Sequence, residues 1–389
     1  MAFDVTWILI GLPLAFGLGW LASRLDIRQM RIENRRAPKA YFRGLNFLLN
    51  EQQDQAIDAF IEAVQNDPDT SELHFALGNL FRRRGEYERA VRVHEHLLSR
   101  ADLTQRDRHR AQHALAMDFL KAGLLDRAEA ALLQLEGTEF QEQARLALLA
   151  NYERSRDWVD AAKMAHKLES GQQGSFSSRL AHYLCEQAEA SSSKSQPDQA
   201  KVLLQEAIKI APNAPRPRIE LARLYGREEN SSQAFSILNE ALDAAPQATP
   251  LFADLLVVHA IASGQMTLAK ARLAASYELS PSLDVLEAMV KVDQAMEPEP
   301  DSTGATARDW YVRHLEREPS LVAAAKWIAG EKLEHEQFHP LVQRALDQAV
   351  KPLTRYRCAA CGFEAKQHFW QCPGCQAWDS YPARRVEEL

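Results

Sequence analysis

With 389 residues, 46 % of them hydrophobic and 25 % charged, the chain is long enough to bury a substantial core, and a mean hydropathy of −0.36 excludes a polytopic membrane protein. Gly (16) and Pro (17) are sparse while Ala, Leu, Glu, Gln and Arg recur, which predicts a mostly helical protein. The net charge of −7 lacks the overall cationic field of a dedicated nucleic-acid binder.

Val5–Ala22 reads VTWILIGLPLAFGLGWLA, an uncharged run that as a helix spans about 27 Å at 1.5 Å per residue and just crosses a hydrocarbon core. A cleaved signal peptide carries its basic residues before the apolar run, whereas here they follow it, so residues 1–23 are predicted to be an uncleaved transmembrane anchor. The segment 24–43, a basic juxtamembrane stretch running into the first repeat, has a net charge of +5. The positive-inside rule then holds that flank, and all that follows it, on the cytoplasmic side.

From residue 38 to 283 the chain repeats. Small residues at Ala56, Ala90, Ala128, Ala161, Ala200, Ala234 and Ala269 are spaced by 34, 38, 33, 39, 34 and 35. A period near 34 is the signature of tetratricopeptide repeats, helix pairs that stack into a superhelix, and about seven are predicted. The companion positions are clearest in Leu77, Gly78, Phe81, Gly85, Tyr87 and Ala90, while Pro68, Pro212, Pro246 and Pro281 close second helices. Beyond these, Met296–Ala307 reads as a loop, and Arg308–Glu316, Leu321–Leu333 and Leu341–Val350 as helices of a capping extension over residues 284–350.

Residues 351–389 carry the sharpest motif. CAACGFEAKQHFWQCPGCQAW places Cys358, Cys361, Cys372 and Cys375 as two Cys-x-x-Cys pairs. Two intervening residues let one tight turn aim both sulfurs at a single ion, with Gly362 and Gly374 supplying backbone freedom. Four thiolates close a tetrahedral shell around one Zn²⁺ or Fe ion and leave no position open for a substrate. Disulfides are the competing use, disfavoured in the reducing compartment that the anchor implies. Cys185 sits on an apolar helical stripe, and His368 lies outside the shell that four cysteines already fill.

No phosphate loop, dinucleotide turn, zinc-protease helix or nucleophile elbow is present in the sequence, which argues against an enzyme and offers no catalytic residues. One surface stands out in the repeats. The thirteenth position of the first helix is basic at Arg83, Lys121, Arg154 and Arg227, with Arg82 adjacent, a stripe able to steer an acidic client into the concave groove. The same residues also suit the negative end of a helix macrodipole. Residues 44–350 sum to −13, which repels nucleic acid.

The anchor, basic flank, solenoid and Cys-x-x-Cys-Gly … Cys-Pro-x-Cys knuckles, in this order over essentially the whole chain, resemble the lipopolysaccharide assembly protein B family. The resemblance implies an all-α tetratricopeptide superhelical solenoid with an N-terminal transmembrane helix and a small rubredoxin-like (zinc-ribbon) metal domain packed on the repeats. It also implies a single-pass protein of the Gram-negative inner membrane with a periplasmic N-terminus. Its activity would be that of an adaptor in the regulation of lipopolysaccharide synthesis, delivering the deacetylase LpxC to the membrane protease FtsH, alongside other lipopolysaccharide assembly factors. Metal ligation carries over to Cys358, Cys361, Cys372 and Cys375, and the repeat surfaces leave homo-oligomers open. A redox protein with an Fe(Cys)₄ centre is the alternative.

Overall fold

Each alanine of the 34-residue register is the fourth residue of its helix in the computed structural model, and each is sealed from solvent at 0 or 1 % exposure. A larger side chain there would force the two helices of a pair apart, so the period of the sequence is a packing period. The structure describes residues 39–66, 70–169, 175–296, 300–330 and 336–389, with the isolated helical positions 16 and 20. Apart from those two positions, the predicted anchor and most of the basic flank lie outside them, and among the described residues no helix is long and apolar enough to cross a membrane.

The chain divides into two units, Met1–Gly171 and Gln172–Leu389. The first holds α1 (39–49) with α2 (Gln53–Asn66), α3 (Ser71–Arg84) with α4 (Tyr87–Ser99), α5 (Gln105–Ala122) with α6 (Leu125–Leu133), and α7 (Gln141–Ser155) with α8 (Trp158–Glu169). The second holds α9 (Ser177–Ser193) with α10 (Pro197–Ile210), α11 (Pro215–Arg227) with α12 (Ser231–Ala244), and α13 (Ala253–Ala262) with α14 (Met266–Leu279). It continues through α15 (Leu283–Met296), α16 (Pro300–Arg317), α17 (Leu321–Ala329) and α18 (His339–Val350) into a two-stranded sheet. In the second unit a core around Phe235, Phe252, Leu256, Leu273 and Tyr277 runs through α15 to Val322 on α17.

The turn inside each pair has a fixed backbone requirement. Five positions before each register alanine stand Glu51, Gly85, Gly123, Arg156, Ser195, Glu229 and Gly264, all left-handed, with φ between 58° and 86°. At Gly85 the motif is explicit: its N–H donates to the Arg82 carbonyl and that of Glu86 to the Phe81 carbonyl, so the last turn of α3 keeps its acceptors satisfied. Proline follows three of the second helices, Pro212, Pro246 and Pro281 each standing two positions beyond α10, α12 and α14, while Pro68 lies outside the described residues.

Two expectations need correction. Residues 300–307 are not loop but the first turns of α16, because Pro300 occupies the first helical position, where its missing N–H costs nothing. The helix expected at Leu321–Leu333 stops at Ala329, with Gly330 as its cap.

Candidate metal centre

The strands β1 (Tyr356–Arg357) and β2 (Glu364–Ala365) pair antiparallel, Tyr356 opposite Ala365, and frame the first knuckle. There the Cys358 N–H donates to the Phe363 carbonyl and the Gly362 N–H to the Cys358 carbonyl, both at 2.9 Å. The second knuckle repeats the pattern, Cys372 N–H to Ala377 and Gln376 N–H to Cys372 at 2.9 and 2.8 Å. Gly362 takes the left-handed turn position with φ 77°, but its counterpart is Gln376 at φ 62°, not Gly374 as the motif suggested. A Cβ on Gly374 would instead rest against the Phe363 ring at 3.4 Å.

These turns bring together the four sulfurs of Cys358, Cys361, Cys372 and Cys375, all within 4.8 Å of one another. Cys358 and Cys375 are 3.9 Å apart, Cys361 and Cys372 3.7 Å. A tetrahedron with metal–sulfur legs of about 2.3 Å has edges of about 3.8 Å, which these two separations match, so the donor set suits one Zn²⁺ or Fe ion. Burial opposes the Cys358 thiolate, but the Ser380 hydroxyl at 3.3 Å and the backbone N–H groups of Cys361 and Ala360 outweigh it and hold the thiol at about 6. Cys185 is different in kind: enclosed in α9, its thiol is pushed up to about 12 by burial, which leaves it a packing residue.

The knuckles are locked to the helices of their own unit at both ends. Trp378 stacks on the buried His182 ring of α9, centroids 4.7 Å apart, and meets Tyr183 edge-on. The Asp379 carboxylate accepts from His182 Nε2 at 2.8 Å and from the Ser178 hydroxyl at 2.7 Å. Leu251 packs against Tyr356, Cys358, Cys372 and Tyr381, and His368 lies among Tyr356, Trp370 and Tyr381 with Nε2 3.1 Å from the Tyr381 carbonyl. Farther on, Arg385 grips Asp284 of α15 through two bonds of 2.8 and 2.9 Å while its guanidinium covers Tyr356. Glu387 accepts from Leu321 and Val322 N–H, and Glu388 from Leu283 N–H, so two acids cap the positive ends of α17 and α15. No local pattern in the sequence marks these contacts with the helices, because their partners stand between 65 and 201 positions apart.

The basic stripe falls on the last turns of α3, α5, α7 and α11. Arg82 bonds Asp118 at 2.8 Å and the Ala114 carbonyl at 3.1 Å, and Arg154 donates to the Leu120 carbonyl at 2.7 Å, each reaching a neighbouring pair. Arg227 reaches Ser192 in the same way. Arg83 and Lys121 are exposed and make no ion pair among the described residues.

Stacked helix pairs bearing a docked four-cysteine knuckle define a tetratricopeptide scaffold protein with a rubredoxin-type metal domain. Family comparison agrees: the rubredoxin metal binding domain matches residues 356–381, and tetratricopeptide repeats match 73–108 and 193–258. Lipopolysaccharide assembly protein B of Escherichia coli (strain K12) is 30% identical over 387 residues, covering 97% of this chain and 98% of its own. Its namesake in Haemophilus influenzae is 28% identical, covering 95% and 96%. A tetratricopeptide repeat protein from Parabacteroides merdae aligns in structure over 68% of this chain and 100% of its own, at 14% identity and a TM-score of 0.34. The chain belongs to the lipopolysaccharide assembly protein B family.

Proposed function

We propose that the chain is a non-catalytic adaptor in lipopolysaccharide assembly, tethered to the inner membrane by residues 1–23 with its repeats on the cytoplasmic side. In this reading it presents the deacetylase LpxC to the membrane protease FtsH and so lowers the flux into lipopolysaccharide. The observation that carries it is the likeness along 97% of the chain to a protein named for lipopolysaccharide assembly. A repeat body whose exposed surfaces suit protein partners supports it. Tethering raises the effective concentration of such a body beside a membrane-embedded partner.

Cys358, Cys361, Cys372 and Cys375 would hold one ion, Zn²⁺ or Fe, with a structural role: the closed shell offers no exchange position, and the domain around it has few apolar residues of its own. Metal analysis of the purified chain identifies the ion. Cys358→Ser or Cys372→Ser is expected to release it and expose residues 356–381 to protease while the helical circular dichroism stays largely intact. Unchanged metal content in both would overturn the ligand assignment. For the adaptor reading, depletion in the native host should lengthen the half-life of LpxC, and a version lacking residues 1–23 at native levels should fail to restore it. An unaltered half-life on depletion would overturn that reading.

A further inference from the structure

A cavity of about 540 Å³ opens beside the metal domain, walled by the start of α15, by α17, by the segment after α18 and by the loop carrying Lys366. Its wall holds Lys326, Lys351, Arg355, Lys366 and Arg385 against two acids, Asp284 and Glu287. Both acids are already engaged, Asp284 by Arg385 and Glu287 by Lys326. Arg355 has a long 3.8 Å approach to Glu364, which Arg357 holds at 2.8 Å. Lys351 and Lys366 are exposed and have no ion-pair partner among the described residues. The two helix N-termini nearby are filled by Glu387 and Glu388, so the remaining positive potential of the cavity comes from these three side chains.

We infer that this cavity is an anion site that takes a phosphate-bearing ligand, with Lys351, Lys366 and Arg355 as its donors. Two cations without an ion pair among the described residues, Lys351 and Lys366, and a third, Arg355, held only at 3.8 Å by a carboxylate that Arg357 already shares, contrast on one concave wall with the −13 carried by residues 44–350, and low-dielectric walls focus their field inward. The volume falls in the range of roughly 300–1,000 Å³ usual for small-molecule sites. The choice of anion follows from the donor arrangement. A carboxylate is saturated by a single guanidinium fork, as Asp284 is by Arg385, whereas a phosphate offers more oxygens than one fork can meet. Donors on three separate stretches of chain suit that second shape. The phosphate can belong to a soluble metabolite or to a phospholipid headgroup.

The test uses the full chain in a non-ionic detergent with its metal bound, titrated calorimetrically with pyrophosphate and, separately, with a short-chain phosphatidate. Saturable binding of either probe is expected, weakened about tenfold or more in the Lys351→Gln, Lys366→Gln double variant. Lys163→Gln, on an exposed lysine of α8, serves as the control and is expected to bind as the unaltered chain does. Tighter binding of pyrophosphate assigns the site to a soluble ligand, and tighter binding of phosphatidate assigns it to a headgroup. Both lysines are exposed, so melting temperature and metal content are expected to be unchanged in the double variant. Failure of both probes to bind, or equal binding by the double variant with its metal content intact, would overturn the inference.

Discussion

The left-handed turn residues invite a direct test, because the repeats perform the same turn with glycine at three positions and with L-residues at four. At Glu51, Arg156, Ser195 and Glu229, φ lies near 60°, where Cβ crowds the following carbonyl at a cost of about 1–2 kcal/mol. Their side chains are exposed and make no hydrogen bond or ion pair among the described residues, so nothing in the fold offsets that cost. Glycine removes it but loses about 0.5–1 kcal/mol more chain entropy on folding, leaving a net gain of about 0.5–1 kcal/mol per site. Arg156→Gly and Glu229→Gly should therefore each raise the urea midpoint at unchanged slope, followed by far-ultraviolet circular dichroism. The four changes lie far apart and should add to about 2–4 kcal/mol. The converse, Gly85→Ala, should lose about 1 kcal/mol through backbone strain alone, since a Cβ there meets nothing within 4 Å. A lower midpoint in Arg156→Gly or Glu229→Gly, or an unmoved one in Gly85→Ala, would refute the steric argument.

Gly78→Ala should cost about 1–3 kcal/mol for a different reason, read in the same urea experiment: its Cβ would stand 2.5 Å from the enclosed His94 ring, which is itself bound to Asp118. A double-mutant cycle on Arg385→Ala and Asp284→Ala should give a coupling of about 1–3 kcal/mol, measured as hydrogen-exchange protection of residues 356–381; additivity would remove the ion pair from the dock. Burial holds the His314 imidazole, which faces the Tyr277 hydroxyl, below its ordinary 6.5. The stability it contributes is thus present above 6.5 and lost as pH falls through and below that value. Thermal unfolding between about pH 7.5 and pH 5 should show that decline, with a shallower slope in His314→Gln.

Local features were legible in the sequence where one residue type answers one physical demand. The register alanines were, because every helix pair needs a small residue at the same crossing, and the cysteines were, because two-residue spacing already sets where both sulfurs point. The turn residues five positions earlier were not, since Glu, Arg and Ser at four of them hide a requirement that only Gly advertises. Pro300 misled in the other direction, being read as a loop residue when its place is the first position of α16. The dock was least legible. His182 and Asp379 stand 197 positions apart, and Arg385 and Asp284 101, so only the folded chain makes them partners.

The guanidinium staples between neighbouring pairs divide the basic stripe by its freedom to vary. Arg82 and Arg154 each tie one helix pair to the next through Asp118 or a backbone carbonyl. A substitution at either position that altered a recognition surface would at the same time loosen the stack. Arg83 and Lys121 carry no such duty among the described residues. Were the stripe to recognise a client, change in what it binds would accumulate across lineages at 83 and 121 while 82 and 154 stay fixed, a divergence rate set by stacking rather than by the client.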